Sequence, residues 1–123
     1  MSHYHAVVWI DHQRATIWQF SPSGEERTAV RSHSRHARHP AQEDKAYFEE
    51  VVGALSGARE ILILGPAQAK NELAAYLRKH HAGLAAGIVA VENADHPSDA
   101  QLLAYARRHF TAIDRMGAPT TRP

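Results

Sequence analysis

Two short, uninterrupted apolar runs, Ile61-Leu62-Ile63-Leu64 and Ile88-Val89-Ala90-Val91, constrain the fold of this chain more than any other feature. A strand wetted on one face alternates apolar and polar residues, whereas a run with no polar partner needs cover on both faces, as in a parallel α/β sheet. Helices must therefore flank these runs. Between them, Pro66 suits a first helical turn, and Leu73, Tyr76 and Leu77 mark a buried stripe that reaches about His81. Upstream, Phe48, Val51, Val52 and Leu55 predict a helix from Glu43 to about Ser56 that ends near Gly57. Downstream, Ser98 with Gln101 three residues later is a capping box, opening a last helix whose core face is Leu102, Leu103, Ala106 and Phe110.

The N-terminal part follows a different period. Ala6–Asp11 and Ala15–Phe20 are β-rich and separated by His12-Gln13-Arg14, the pattern of a hairpin. A third strand over Glu26–Ser32 follows the turn residues Ser21-Pro22-Ser23-Gly24. The order β-β-β-α-β-α-β-α, with right-handed crossovers, describes an α/β, ribonuclease H-like fold around a mixed five-stranded sheet. A chain of 123 residues has room for one core. A single domain over residues 1–113 is expected, followed by a disordered tail over 114–123, where Gly117, Pro119 and Pro123 stand among few apolar residues.

Hydrophobic residues at 44% and charged residues at 22% exclude a natively disordered chain. Cysteine is absent, which excludes a disulfide framework and thiolate metal chemistry. The apolar stretch Ala6–Ile10 is too short for a signal-peptide core or a membrane span, so a cytoplasmic location without membrane contact is expected. A net charge of +1 gives no bulk attraction to nucleic acid. Local charge is more informative. No acid occurs between Glu26 and Glu43, while Arg27, Arg31, Arg35, Arg38, His33, His36 and His39 accumulate there. Such a segment can follow a phosphate backbone, giving salt-dependent binding. Imidazoles that titrate near neutrality would weaken that binding as pH rises. The bland reading is a solvated basic loop, or coding bias, since 11 of the 14 basic residues are arginine.

The hairpin Val7–Trp18, with Asp11 closing its first strand, and the later segment Glu60–Leu73, with Gly65-Pro66 leading into a helix bearing Lys70, resemble the central domain of the eukaryotic and archaeal peptide-chain release factor and its relative Pelota. Short bacterial single-domain proteins described as translational machinery proteins are more similar still. They share the opening Val8-Trp9-Ile10-Asp11-His12 and the segment His96-Pro97-Ser98-Asp99. The resemblance spans roughly residues 4–112 and implies a ribosome- or tRNA-associated role. In release factors the loop after the third strand carries a Gly-Gly-Gln tripeptide that positions water for peptidyl-tRNA hydrolysis. Here that stretch, Ser32–Glu43, has no glycine, and Gln42 alone lacks the backbone freedom the tripeptide supplies. The expectation is therefore a non-catalytic translation-associated factor, with Arg31, Arg35, Arg38, His33, His36, His39 and Lys70 on RNA.

Other chemistries fit less well. Gly65–Lys70 fails the phosphate-loop pattern, although a helix start beside Lys70 could hold one RNA phosphate. Three loop histidines without a cysteine do not make a recognised closed zinc site, so no metal or other cofactor is expected. Asp11 stands where a ribonuclease H-like nuclease holds its first metal-binding carboxylate. Its rivals for a two-metal set, Glu92, Asp95 and Asp99, are expected across the sheet, and Asp11 is expected to close the hairpin by accepting backbone amides. A metal-dependent nuclease is one alternative. The other is a protein-interaction domain that forms homo-oligomers by pairing its exposed hairpin edge. Trp9 and Trp18 are expected as a cross-strand pair used mainly for packing. Arg78–His81 and Arg107–His109 are expected at helix C-termini, where cations meet the negative end of the dipole.

Overall fold

The chain is described by a computed structural model over the backbone of residues 5–21, 24–32 and 40–121, with side chains at 5–21, 24–32 and 45–111. Strand β1 (His5–Ile10) pairs antiparallel with β2 (Arg14–Ser21), and β2 with β3 (Gly24–Arg31). Helix α1 (Pro40–Ala54) crosses to β4 (Glu60–Gly65), which lies parallel to β1. Helix α2 (Ala69–His80) and the single turn α3 (Ala82–Ala85) lead to β5 (Ile88–Asn93), parallel to β4, and α4 (Asp99–Thr121) closes the chain. The sheet order is β3-β2-β1-β4-β5, the ribonuclease H-like arrangement the element order implies.

The apolar runs explain this layering. Ile61, Leu62, Ile63 and Leu64 are all buried because the two faces of β4 serve two cores. On one face Ala6, Val8, Ile10, Ile61 and Ile63 meet Tyr47, Phe48 and Val51 of α1, Leu55 in the turn after it, and Leu73 and Leu77 of α2. On the other, Val7, Trp9, Leu62 and Leu64 meet Leu102, Ala106 and Phe110 of α4. Each fully buried leucine contributes about 1.5–3 kcal/mol relative to exposure. Among the described elements only α4 covers the second face, where Trp18, Phe20 and Val89 are half-buried.

Local chemistry sets the boundaries. Beyond α1 the chain reverses through Gly57, whose φ of 86° is costly for any residue with a β-carbon. The Ser98 amide donates to Gln101 Oε1 at 2.9 Å and the Gln101 amide to Ser98 Oγ at 3.1 Å, a reciprocal capping box at the start of α4. Helix α2 begins at Ala69, not in the turn of Pro66. Its N-cap Gln68 has no side-chain cap, and its side-chain oxygen accepts from Asn71 Nδ2 instead.

Helix α4 is assigned from Asp99 to Thr121. Two expectations differ. Arg107, Arg108 and His109 consequently lie within the helix and not at its end; Arg107 pairs with Glu25 and Arg108 lies over the Tyr105 ring at 5.9 Å. Trp9 faces Thr16 and Trp18 faces Val7, so the two indoles are diagonal neighbours and not a directly opposed pair.

Candidate functional site

β1, β4 and β5 all end at one edge of the sheet, where open α/β sheets commonly receive ligands. Asp11 follows β1 there. Its Oδ1 accepts the amides of Gln13 and Arg14, each at 2.8 Å, and its own amide donates to the Arg14 carbonyl at 3.0 Å. The carboxylate thus shapes the hairpin turn, which Tyr47 also anchors by donating its hydroxyl to the Asp11 carbonyl at 2.9 Å.

The segment after β5 returns over this edge. Trp9, 5% exposed, donates its indole N–H to the carbonyls of Ala94 at 3.2 Å and Asp95 at 2.6 Å. Its ring lies 4.9 Å from that of His96, whose Nδ1 meets Asp95 Oδ1 at 2.9 Å and whose Nε2 is 3.7 Å from Asp11 Oδ2. Asp95 is therefore near Asp11 and not across the sheet, because only β4 separates β5 from β1 and the chain doubles back. Among the described residues no three His, Asp or Glu side chains converge as a metal would require.

Beside His96 a cleft of about 220 Å³ opens between the β2–β3 ribbon and the start of α4. Its floor is small, Thr16 opposite Ala29. At one end Arg14 stands directly opposite Arg31; at the other is Arg27, 3.3 Å from Asp99 of α4. The Arg14 guanidinium also lies over the Trp9 ring at 5.9 Å. Among the described residues neither Arg14 nor Arg31 has a carboxylate within 4 Å. Like charges at opposed positions repel, so this end of the ribbon carries a standing positive potential.

Of the residues read from the sequence, Arg31 thus lines the cleft. His33, Arg35, His36, Arg38 and His39 lie outside the described residues. Lys70 is 6% exposed, and its ammonium is turned back onto the Ala67 carbonyl in the turn before α2. To reach a phosphate it would have to leave that bond. Arg27 joins the cleft from the same basic stretch, whereas Arg14 and His96 are brought in by the fold: the hairpin register puts the residue after the first turn opposite the last residue of the third strand.

A second polar cluster joins α1 to α2. Glu49 accepts from the Tyr76 hydroxyl and meets His81 Nε2 at 2.7 Å. Hydrogen bonds from His81 and Tyr76 hold the Glu49 carboxyl below its ordinary range. Partial burial, together with the Glu49 carboxylate, pushes the Tyr76 hydroxyl up to about 12. These groups clamp the two helices together.

No protein-family model matches the sequence, and none of the curated proteins does. Solved structures do match. The Pelota protein of Thermoplasma acidophilum superimposes with a TM-score of 0.62 at 22% identity, over 85% of this chain and 32% of that one. The fold is that of a Pelota- and release-factor-like domain. An archaeal translation termination factor, aRF1, matches with a TM-score of 0.60 at 15% identity, over 94% of this chain and 40% of its own. S. cerevisiae Dom34, described as a translation termination-like factor involved in RNA quality control and interacting with Hbs1, matches at 0.56 and 11% identity over 81% and 31%. The chain spans about a third of the length of the Pelota structures it matches. No helix among the described residues is long and apolar enough to cross a membrane.

Proposed function

We propose that this Pelota-like domain is a non-catalytic, translation-associated factor in the cytoplasm that binds ribosomal or transfer RNA through the arginine- and histidine-rich stretch beginning at Arg31. One observation carries the reading: Arg31 closes β3 beside Arg14 with no carboxylate neighbour among the described residues, and the chain then runs directly into Arg35 and Arg38. Guanidiniums without internal partners are available to phosphate, for which their planar fork is well suited. His33, His36 and His39 add imidazole donors in the same stretch. Lys70 contributes only on leaving the Ala67 carbonyl.

Hydrolysis is not part of the proposal, since no Gly-Gly-Gln occurs in the sequence. Nor is a nuclease centred on Asp11 favoured, because one of its carboxylate oxygens already serves two backbone amides. Fluorescence anisotropy with labelled transfer RNA and ribosomal RNA fragments tests the reading. Binding should weaken steeply with salt and be lost when Arg31, Arg35 and Arg38 are replaced together by glutamine; salt-insensitive binding, or none at low salt, would count against it.

A further inference from the structure

We propose that the cleft between the Arg14–Arg31 pair and the start of α4 is a receptor for a phosphomonoester dianion. The site lies entirely within the described residues; it shares Arg31 with the RNA reading but needs none of the residues beyond Ser32. Arg27 is matched by Asp99 at 3.3 Å, whereas Arg14 and Arg31 are matched by no carboxylate among the described residues. Two uncompensated guanidiniums suit a group carrying two charges; a phosphodiester, with one, would leave half of that potential unused. An anion between them also removes the repulsion of like charges set opposite each other on paired strands.

The shape agrees with the charge. Thr16 and Ala29 leave the floor low, and the Thr16 hydroxyl provides a hydrogen-bonding group there. At about 220 Å³ the cleft is smaller than the roughly 300–1,000 Å³ of pockets that enclose a drug-sized ligand. It accepts one compact anionic group and leaves whatever bears that group outside. Arg14 is held in place, since its guanidinium rests over Trp9, and Trp9 is itself fixed by its bonds to Ala94 and Asp95. The Asp11 carboxylate is turned to the hairpin amides and to His96.

A terminal phosphate of this kind is borne either by a free mononucleotide or by the 5′ end of an RNA strand, and one titration series separates them. The full chain, with labelled arginine side chains, is titrated with inorganic phosphate, adenosine monophosphate, a short single-stranded RNA with a 5′ phosphate and the same RNA with a 5′ hydroxyl. Magnetic resonance reads the Nε–H signals of Arg14 and Arg31, and calorimetry reads affinity. Adenosine monophosphate should shift both signals. If RNA is the bearer, the phosphorylated strand should also bind about tenfold tighter than the hydroxyl strand. Both effects should vanish in Arg14→Gln and in Arg31→Gln, whose side chains are exposed, and persist in Lys79→Gln on α2. Shifts from adenosine monophosphate without any difference between the RNAs uphold the site and assign it to a free nucleotide. Equal binding of both RNAs with no response to the monophosphate overturns the site while leaving RNA binding intact. Shifts from the monophosphate with no RNA bound at all uphold the site and remove the RNA reading.

Discussion

Gly65 passes so close to the carbonyl oxygen of Ile10 that no β-carbon fits between them. The residue ends β4 beside the end of β1, so its lack of a side chain serves sheet packing, not a phosphate loop. Gly65→Ala should therefore force the two central parallel strands apart and cost about 1–3 kcal/mol. Urea unfolding followed by circular dichroism measures this, and an unchanged midpoint would show that the strands can yield.

The capping box at α4 gives a smaller, better-defined expectation. Ser98→Ala removes the acceptor of the Gln101 amide and should destabilise the domain by about 0.5–2 kcal/mol, while Ser98→Asp, which can still accept, should lose much less. The same unfolding assay distinguishes the two.

Alkali should act through Tyr76. Its folded pKa of about 12 lies above the ordinary value of 10, so the stabilisation it provides is fully present below pH 10 and lost as pH rises through about 12. Across that window the wild type should lose more stability than Tyr76→Phe. Glu49 works in the opposite sense: its folded pKa is depressed, so its contribution is present above the ordinary carboxylate value and fades as pH falls through the lowered one. In Glu49→Gln the Tyr76 ionisation, followed by ultraviolet absorbance, should move down towards 10.

RNA affinity should reveal how many cations of the arginine stretch touch phosphate. Each contact removed by Arg31→Gln, Arg35→Gln or Arg38→Gln should flatten the slope of log affinity against log salt by about 0.7–0.9. A slope that stays constant as affinity falls would mean that these arginines act on folding instead.

Much of the architecture was legible because a few residues permit only one use. Ile61–Leu64 has no polar face to offer water and must be central; Ser98 and Gln101 stand at the one spacing that caps a helix reciprocally. The boundaries that differ have local causes. Pro66 is compatible with a first helical turn but does not demand one, and α2 starts three residues later. Helix α3 is a single turn, too short to show a period. The cleft was hidden for another reason. Arg14, Arg27, Arg31 and His96 come from three separate segments, and only the pairing of Arg14 with Arg31 and the return of the chain over Trp9 bring them together. Charge counted along the sequence sees Arg27 and Arg31 as equivalent, although Asp99 neutralises the first and nothing among the described residues neutralises the second.

Sedimentation of the tagged protein through sucrose gradients of its own cell extract reads ribosome association itself. The protein should co-migrate with ribosomal particles at low salt and return to the top of the gradient after ribonuclease treatment, in high salt, or when Arg31, Arg35 and Arg38 are all glutamine. Wild-type protein that remains at the top under every condition, or that sediments in a complex indifferent to ribonuclease and salt, would contradict it.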